Sequence, residues 1–584
     1  MQHVTVTARR LVMPALVAGG MALAPATLAS QARNATERIL VLPPTPADPA
    51  DTTFAVTLAR ELRDRMDAKY RFSFRIIPTS VICEALEASG FGCGVVPPAN
   101  ASALARFLQA SGYVLGWLER GQDSLIVHLR MVDQGRSGLS GWLTVRVPAS
   151  QNAGDVARRL ADGLQDHVDA ADRARQCVER RERSDFRGAH QRADQAFEKV
   201  PNHPSAAMCL ALAAEATQQP VDSLVKYLRI ATDGDSLNAR AWETLGRRLR
   251  EQGDTLGALS AFIRQLQAEP NDMQLRLGVA AGLITQGDYQ RAVALLDEAL
   301  AQNPAELQAL RLKERACLDG SLWHCALEAL QGQYDVDSAL VGDSIFYAKA
   351  FGAAQSASDT AAMLHWSAAG VQQLPNSLDM WRARANALRT AGRRDEALEA
   401  YRRVITIDST QIGSALAAAQ LLLDTATLVI DSTMPLDTAR LLMADTLLRL
   451  VGAQTQDPAT QTNIAFLYFQ PATRLVQQRL RMPLAERFLE QVILYDVEGR
   501  IRAQANFFLA LAIFFQLHEL DARVRETESC ELVDVEIVKV QRAKEAMIAG
   551  QQVSPQTAQQ ILGVIRNFEQ ALPTYKPAFK CPGS

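Results

Sequence analysis

Eight cysteines carry the most legible chemistry in the chain: Cys83, Cys93, Cys177, Cys209, Cys317, Cys325, Cys530 and Cys581. The count is even and no pair is spaced C-x-x-C, which argues against zinc-ribbon or thioredoxin chemistry. In an oxidising compartment such residues read as disulfides. Along the chain they fall into four neighbouring pairs. Cys83 and Cys93 flank "EALEASGFG", Cys317 and Cys325 flank an expected helical turn, and Cys530 with Cys581 would tie back the C-terminal tail. Spacing does not fix the connectivity, and buried free thiols are the alternative.

Other reactive types lack the company that catalysis needs. Of the histidines (His3, His128, His167, His190, His203, His324, His365, His518), no two stand at ligand spacing with a carboxylate, and there is no H-E-x-x-H. No serine sits in G-x-S-x-G, and no G-x-x-x-x-G-K-[ST] occurs. The cluster "GFGCG" follows a helical pattern rather than a strand, so it reads as a turn and not a dinucleotide loop. These absences lead to the expectation of a non-enzymatic protein with no metal and no cofactor.

The elements that position these residues begin after an export signal. "MQHVTVTARR" supplies positive charge, "LVMPALVAGGMALA" an apolar run, and "PATLASQA" small residues for cleavage after Ala29 or Ala32. The run is shorter than the ~20 residues of a membrane-spanning helix, and no cysteine follows it to take a lipid. Residues 1–32 are therefore expected to be a signal peptide, with an uncleaved anchor as the alternative, and the mature chain to be periplasmic or secreted, without stable membrane insertion. A chain of 584 residues exceeds one core. Its net charge of -3 provides no global attraction to nucleic acid.

Residues 33–172 alternate strand and helix patterns. "ILVLPP" and "FSFRIIP" read as strands around the helical "TTFAVTLARELRDRM", with Asp51 and Thr52 as candidate caps. Two short helices, "SVICEALEASG" and "ASALARFLQASG", each end in glycine. Three strands follow, "YVLGWLERG", "SLIVHLRMVDQG" and "GWLTVRVP", and "AGDVARRLADGLQDHVDAA" closes the unit as a helix. In the middle strand Leu125, Val127, Leu129 and Met131 mark the better-buried face. This order resembles the TolB-type amino-terminal domain, related to the CsgG-like fold, through "ILVLPP", "ARFLQASGYVLGWLERG" and "LIVHLRMVDQGRSG". The resemblance implies an interaction module and brings no catalytic residues. The insert "CEALEASGFGC" departs from it.

From 173 to 456 the chain repeats. "EQGDTLGALSAFIRQLQAEPND" at Glu251 recurs 34 residues later as "TQGDYQRAVALLDEALAQNPAE". The first unit places Trp242, Gly246, Ala258, Phe262 and Pro270. Ala292 and Pro304 follow on schedule, and a later unit has Trp381, Ala397 and Tyr401. This pattern resembles the tetratricopeptide signature, a helix–turn–helix unit of 34 residues. Alanine lets helices A and B cross closely. Tryptophan and phenylalanine or tyrosine fill hollows between hairpins, glycines 253, 287 and 392 turn the chain, and proline ends helix B. Six to eight units are expected, some degenerate, with Cys177 and Cys209 on consecutive A helices. Residues 457–584 continue as helices that cap the array. Their phenylalanines 507, 508, 514 and 515 belong to a buried helix in a run too short for a bilayer.

The expected fold is α+β: an N-terminal α/β domain with a mixed sheet, then an all-α tetratricopeptide superhelix and a helical C-terminal cap. Inward positions of the A helices would form a concave face. In the Trp242 unit these stations hold Arg240, Glu243, Arg247 and Arg250. The next unit has Leu277, Ala281 and Ile284, and the Trp381 unit has Asp379, Arg382, Asn386 and Arg389. Arg240, Arg247, Arg250, Arg382, Asn386 and Arg389 are the candidate partner-binding residues, suited to backbone carbonyls or carboxylates of an extended peptide. A solvated helix face is the alternative. Arg382 with Asn386 is similar to half of the family's carboxylate clamp. Together these features suggest an exported scaffold for other proteins or extended peptides of the envelope. A sensor whose α/β domain binds a small molecule stays open.

Overall fold

The computed structural model describes residues 37–424 and 437–581, so the expected signal peptide lies outside it. The chain divides into two compact units, the first ending at Gln302 and the second starting at Asn303.

The first unit opens with β1 (Glu37–Val41), β2 (Thr45–Pro46), α1 (Thr52–Tyr70), β3 (Phe74–Ile76), α2 (Thr79–Ala88) and α3 (Pro98–Phe107). A meander of β4 (Gly112–Arg120), β5 (Ser124–Asp133) and β6 (Gly141–Pro148) leads to α4 (Ala153–Gly163). The sheet runs β3-β1-β4-β5-β6, with β2 paired to β4. β1 lies parallel to β3 and β4, while β4, β5 and β6 are antiparallel. The sheet is therefore mixed. One face packs against α1 and α4 and takes Leu125, Val127, Leu129 and Met131 of β5. The other packs against α2 and α3 through Leu40, Ile82, Leu86 and Leu104. Burial on both faces is why "ILVL" lacks polar alternation.

Three local expectations need correction. Asp51 makes no capping bond; Asp48 accepts instead from the amide of Ala50 in the short 3₁₀ turn ahead of α1. α3 is not closed by glycine: Gln109 takes the left-handed conformation (φ 53°), and Gly112 begins β4. A Cβ on Gly112 would stand 2.5 Å from Ser137 Oγ, so close approach explains that glycine. The closing helix also breaks at Leu164, and α5 (Gln165–Glu182) starts anew. Val168 and Ala171 of α5 belong to the α/β core, whereas Ala170, Ala174 and Cys177 join the core of the first helix pair.

α5 pairs with α6 (Phe186–Lys199), then α7 (Pro204–Ala216) with α8 (Val221–Gly234), α9 (Ala239–Glu251) with α10 (Thr255–Ala268), and α11 (Met273–Thr285) with α12 (Tyr289–Gln302). The second unit pairs α13 (Leu307–Asp319) with α14 (Trp323–Val336), α15 (Ser344–Ser356) with α16 (Thr360–Gln373), α17 (Leu378–Thr390) with α18 (Arg394–Ile407), and α19 (Ile412–Leu422) with α20 (Thr438–Gln454). Then come α21 (Pro458–Gln477), α22 (Met482–Tyr495), α23 (Arg502–Thr527), α24 (Cys530–Gly550) and α25 (Pro555–Ala578).

Ala258, Ala292 and Ala397 are buried at helix crossings. A Cβ on Gly246 would meet the Phe262 ring at 2.7 Å. Trp242 and Trp381 each donate their indole N–H to a carbonyl six residues back, Ser236 and Pro375, at 2.8 Å. Pro270 and Pro304 follow the ends of α10 and α12. Asp254 and Asp359 cap their B helices by accepting from the amides of Gly257 (2.8 Å) and Ala362 (2.9 Å). All four cysteine pairs are disulfides: Cys83–Cys93, Cys177–Cys209, Cys317–Cys325 and Cys530–Cys581. Among the described residues no cysteine is free.

The A–B turns share one backbone device. The second residue after helix A is left-handed in Gly253, Gly287 and Gly392, and equally in Ser184, Gln218, Ser321 and Ser358 (φ 53–61°). A side chain in that region costs about 1–2 kcal/mol, partly offset by the entropy glycine would lose. Ser321→Gly and Ser358→Gly are each expected to stabilise by about 0.5–1 kcal/mol, read from denaturant midpoints.

In α23, Phe507 and Phe514 are buried in the core shared by the last helices. No described helix is long and apolar enough to cross a membrane. Glu536 of α24 is fully buried, and neither of its carboxylate oxygens has a hydrogen-bond partner. Burial raises its pKa to about 7; Asp521 adds to the rise and Arg525 opposes it. The folded chain therefore holds this proton up to about pH 7, whereas the unfolded chain releases it near 4.5. Stability from this group is fully present below that lower value and falls as pH rises through the window. Glu536→Gln is expected to stabilise at pH 8 by about 1–3 kcal/mol, the usual penalty of an unpartnered buried polar group. At pH 4.5 it should change little, as thermal unfolding at the two pH values would show.

Candidate interaction groove

Between α14 and α15 the repeat slips. α15 starts 37 residues after α13, three more than the period. The longer connection contains a 3₁₀ turn, Ser338–Gly342. Asp337 caps its start by accepting from the amide of Ala339 (3.0 Å), and Asp343 accepts from Ile345 to start α15 (2.8 Å). The slip leaves an open cavity of about 470 Å³ between the two A helices; Leu318, Leu340 and Phe346 are its apolar lining, and its charged lining is balanced, with Arg311, Arg315 and Lys349 against Glu314, Asp319 and Asp343.

Its floor is rigid. Phe346 stacks against Tyr334 at 5.9 Å between ring centroids and meets Trp366 edge-on at 5.7 Å. Glu314 is buried and fully engaged: it accepts from Lys349 Nζ at 3.0 Å and Gln333 Nε2 at 2.8 Å. Its charge holds the Lys349 ammonium in place. At the rim Arg311 pairs with Asp337 (3.2 Å) and Arg315 with Asp319 (3.5 Å). Both arginine side chains are more than half exposed, at 58% and 66%. Exposed pairs of this kind hold their partners weakly, so an incoming carboxylate or backbone carbonyl can compete for the guanidinium groups. Leu318, Leu340 and Phe346 offer an apolar side chain a place between them.

The six residues singled out from sequence lie elsewhere. Arg240 is exposed beside the β5–β6 connection: its guanidinium would stand 3.6 Å from a Cβ on Gly135. Arg247 pairs with Glu243 on its own helix at 3.6 Å, and Arg250 lies over the Phe262 ring at 5.8 Å. Arg382 pairs with Asp379 at 3.6 Å. Asn386 accepts from the Tyr401 hydroxyl at 3.0 Å, and Arg389 lies near enough to act on that hydroxyl electrostatically. The half-clamp pair is thus divided, Arg382 to its own helix and Asn386 to helix B. Leu277 and Ile284 are buried at 2% and 4% exposure, so these two stations belong to packing and not to a surface. The cause is α11, whose buried residues include Arg276, Leu277, Val279, Ala280, Leu283 and Ile284 and leave it no broad polar face.

Arg311 and Arg315 occupy the stations of Glu243 and Arg247, two periods on. The signal was present in the sequence, but the unit had lost its closing proline and read as degenerate. Among the described residues no group of three or more His, Cys, Asp or Glu is placed to hold a metal.

Residues 178–239, 243–306, 282–321 and 378–411 match family models of the tetratricopeptide repeat. No curated protein matches the chain. Among solved structures, it is similar to MamA at 18% identity over 30% of this chain and 94% of that one, with a TM-score of 0.23. A tetratricopeptide repeat protein from Parabacteroides merdae matches at 13% identity over 47% of this chain and 98% of that one, with a TM-score of 0.21. YrrB, described as a TPR protein with an unusual peptide-binding site, matches at 16% identity over 38% of this chain and 96% of that one, with a TM-score of 0.19. The matched stretches coincide with helix pairs that share one turn geometry and one set of packing residues, and the chain therefore carries tetratricopeptide repeats.

Proposed function

We propose that the protein is an exported scaffold that binds envelope proteins through extended segments, and that the groove between α13 and α15 is its principal contact. The observation that carries this reading is the 470 Å³ cavity at A-helix stations, with exposed arginines above an aromatic floor. A segment with a carboxylate or free backbone carbonyls next to an apolar side chain fits that chemistry. Export is supported by four disulfides with no free cysteine among the described residues. The TolB-like reading of the α/β domain agrees with its mixed sheet and gives that domain a second docking role.

A photo-cross-linking amino acid placed at Leu340 in the native host tests the groove. Adducts are expected there, lost in Arg311→Glu/Arg315→Glu, and absent when the probe replaces Glu328 on α14. Equal adducts from Glu328, or none at Leu340, would reject the groove. Recovery of the chain in the cytoplasm with reduced cysteines would reject export.

A further inference from the structure

The Cys83–Cys93 insert has no counterpart in the reading above, and it encloses space. A cavity of about 110 Å³ lies between α2, α3 and the intervening loop, lined by Leu86, Phe91, Val95, Val96 and Leu104, with Asn100 among its few polar walls. Apart from Val95, which packs against the larger core, its apolar lining belongs to the smaller of the two cores flanking the sheet. Protein interiors rarely leave voids larger than a water molecule. The glycines of the loop, Gly90, Gly92 and Gly94, face open space, with nothing within 4 Å of where a Cβ would be. The disulfide ties the far end of the loop to α2, with 4.8 Å between the Cα atoms, and limits its collapse onto the helices.

We propose that this cavity is a binding site for a small uncharged molecule, one aromatic ring or a branched chain of that size, bearing a single hydrogen-bonding group. Size follows from volume: at about 110 Å³ the space is smaller than the ~150 Å³ cavity that accepts benzene, so a single ring is the upper limit. The absence of charge follows from the lining, which contains no ionisable side chain; a charged ligand would lose its hydration without compensation. The hydrogen-bonding group is assigned to Asn100. Its side-chain amide has no hydrogen-bond partner among the described residues, whereas the Ser89 hydroxyl already donates to the Ala85 carbonyl at 2.9 Å. This site does not depend on the α13–α15 groove.

The test uses the full mature chain with ¹³C-labelled leucine and valine methyl groups, titrated with phenol and separately with benzoate. Phenol is expected to shift the methyl signals of Leu86, Val95, Val96 and Leu104 saturably and to raise the unfolding midpoint; benzoate should do neither. Leu104→Phe fills the space and should weaken phenol binding about tenfold or more without lowering that midpoint. Val95→Phe serves the same purpose if Leu104→Phe disturbs the fold. No saturable shift up to the solubility of phenol would overturn the proposal. So would equal response to benzoate, or unchanged binding in a folded filled variant.

Discussion

Asp235→Ala is expected to destabilise the joint between the α/β domain and the helix pairs that follow it by about 3–5 kcal/mol. Asp235 lies between α8 and α9 and is 2% exposed. Its carboxylate accepts from Arg130 of β5 at 3.0 Å (Nε to Oδ1) and 2.9 Å (Nη2 to Oδ2). Arg130 also donates to the carbonyl of Leu237 and lies over the Trp142 ring. Removing the carboxylate leaves a guanidinium buried without its counter-charge, the costly way to break such a pair. Replacing both ends, as Arg130→Met/Asp235→Leu, should recover most of the loss because no charge is then stranded. Hydrogen exchange along β5, β6 and the α8–α9 connection would report the opening. A change below about 1 kcal/mol in the single variant would refute this account of the joint.

The same joint should weaken in acid. His203 is fully buried and His167 nearly so. Burial pushes His203 down to about 3 and lowers His167 as well. Burial disfavours the charged form of both, so their contribution is complete above the unfolded value of 6.5 and is lost as pH falls below it towards the lowered folded values. The Asp235 comparison is therefore best made above pH 7.

Gly550→Ala should be nearly as damaging, at about 3 kcal/mol or more. A Cβ at Gly550 would stand 2.4 Å from the backbone nitrogen of Phe507 and 2.7 Å from its Cα. Neither contact can be relieved by turning a side chain, so α23 and α24 would have to separate, at the upper end of overpacking costs. Alanine's better helix propensity recovers only about 1 kcal/mol. Urea unfolding monitored in the C-terminal helices gives the value. A variant as stable as the parent would show that the crossing has slack.

Much of this architecture was legible in the sequence because its determinants are local. An A–B hairpin encodes its own turn, cap and crossing, so Gly253, Asp254 and Ala258 announce the unit wherever it lies. The strands of the α/β domain show through the apolar runs and alternation that a sheet imposes. Where a local rule was met by another residue type, the signal faded: Ser321 and Ser358 make the same left-handed turn as Gly287 without glycine to mark it.

Local periodicity established the helix pairs and the strands, because each depends on residues a few tens of positions apart, whereas the cysteine connectivity was left open and came from the structure. Tertiary structure alone decided which polar residues line a cavity. Arg311 and Arg315 gained a groove from a three-residue slip after α14, while Asn386 was turned inward onto Tyr401. It also decided the meeting of Arg130 with Asp235 and of Phe507 with Gly550. Such contacts depend on where whole elements cross, and that is set by the summed packing of everything between them rather than by any short pattern.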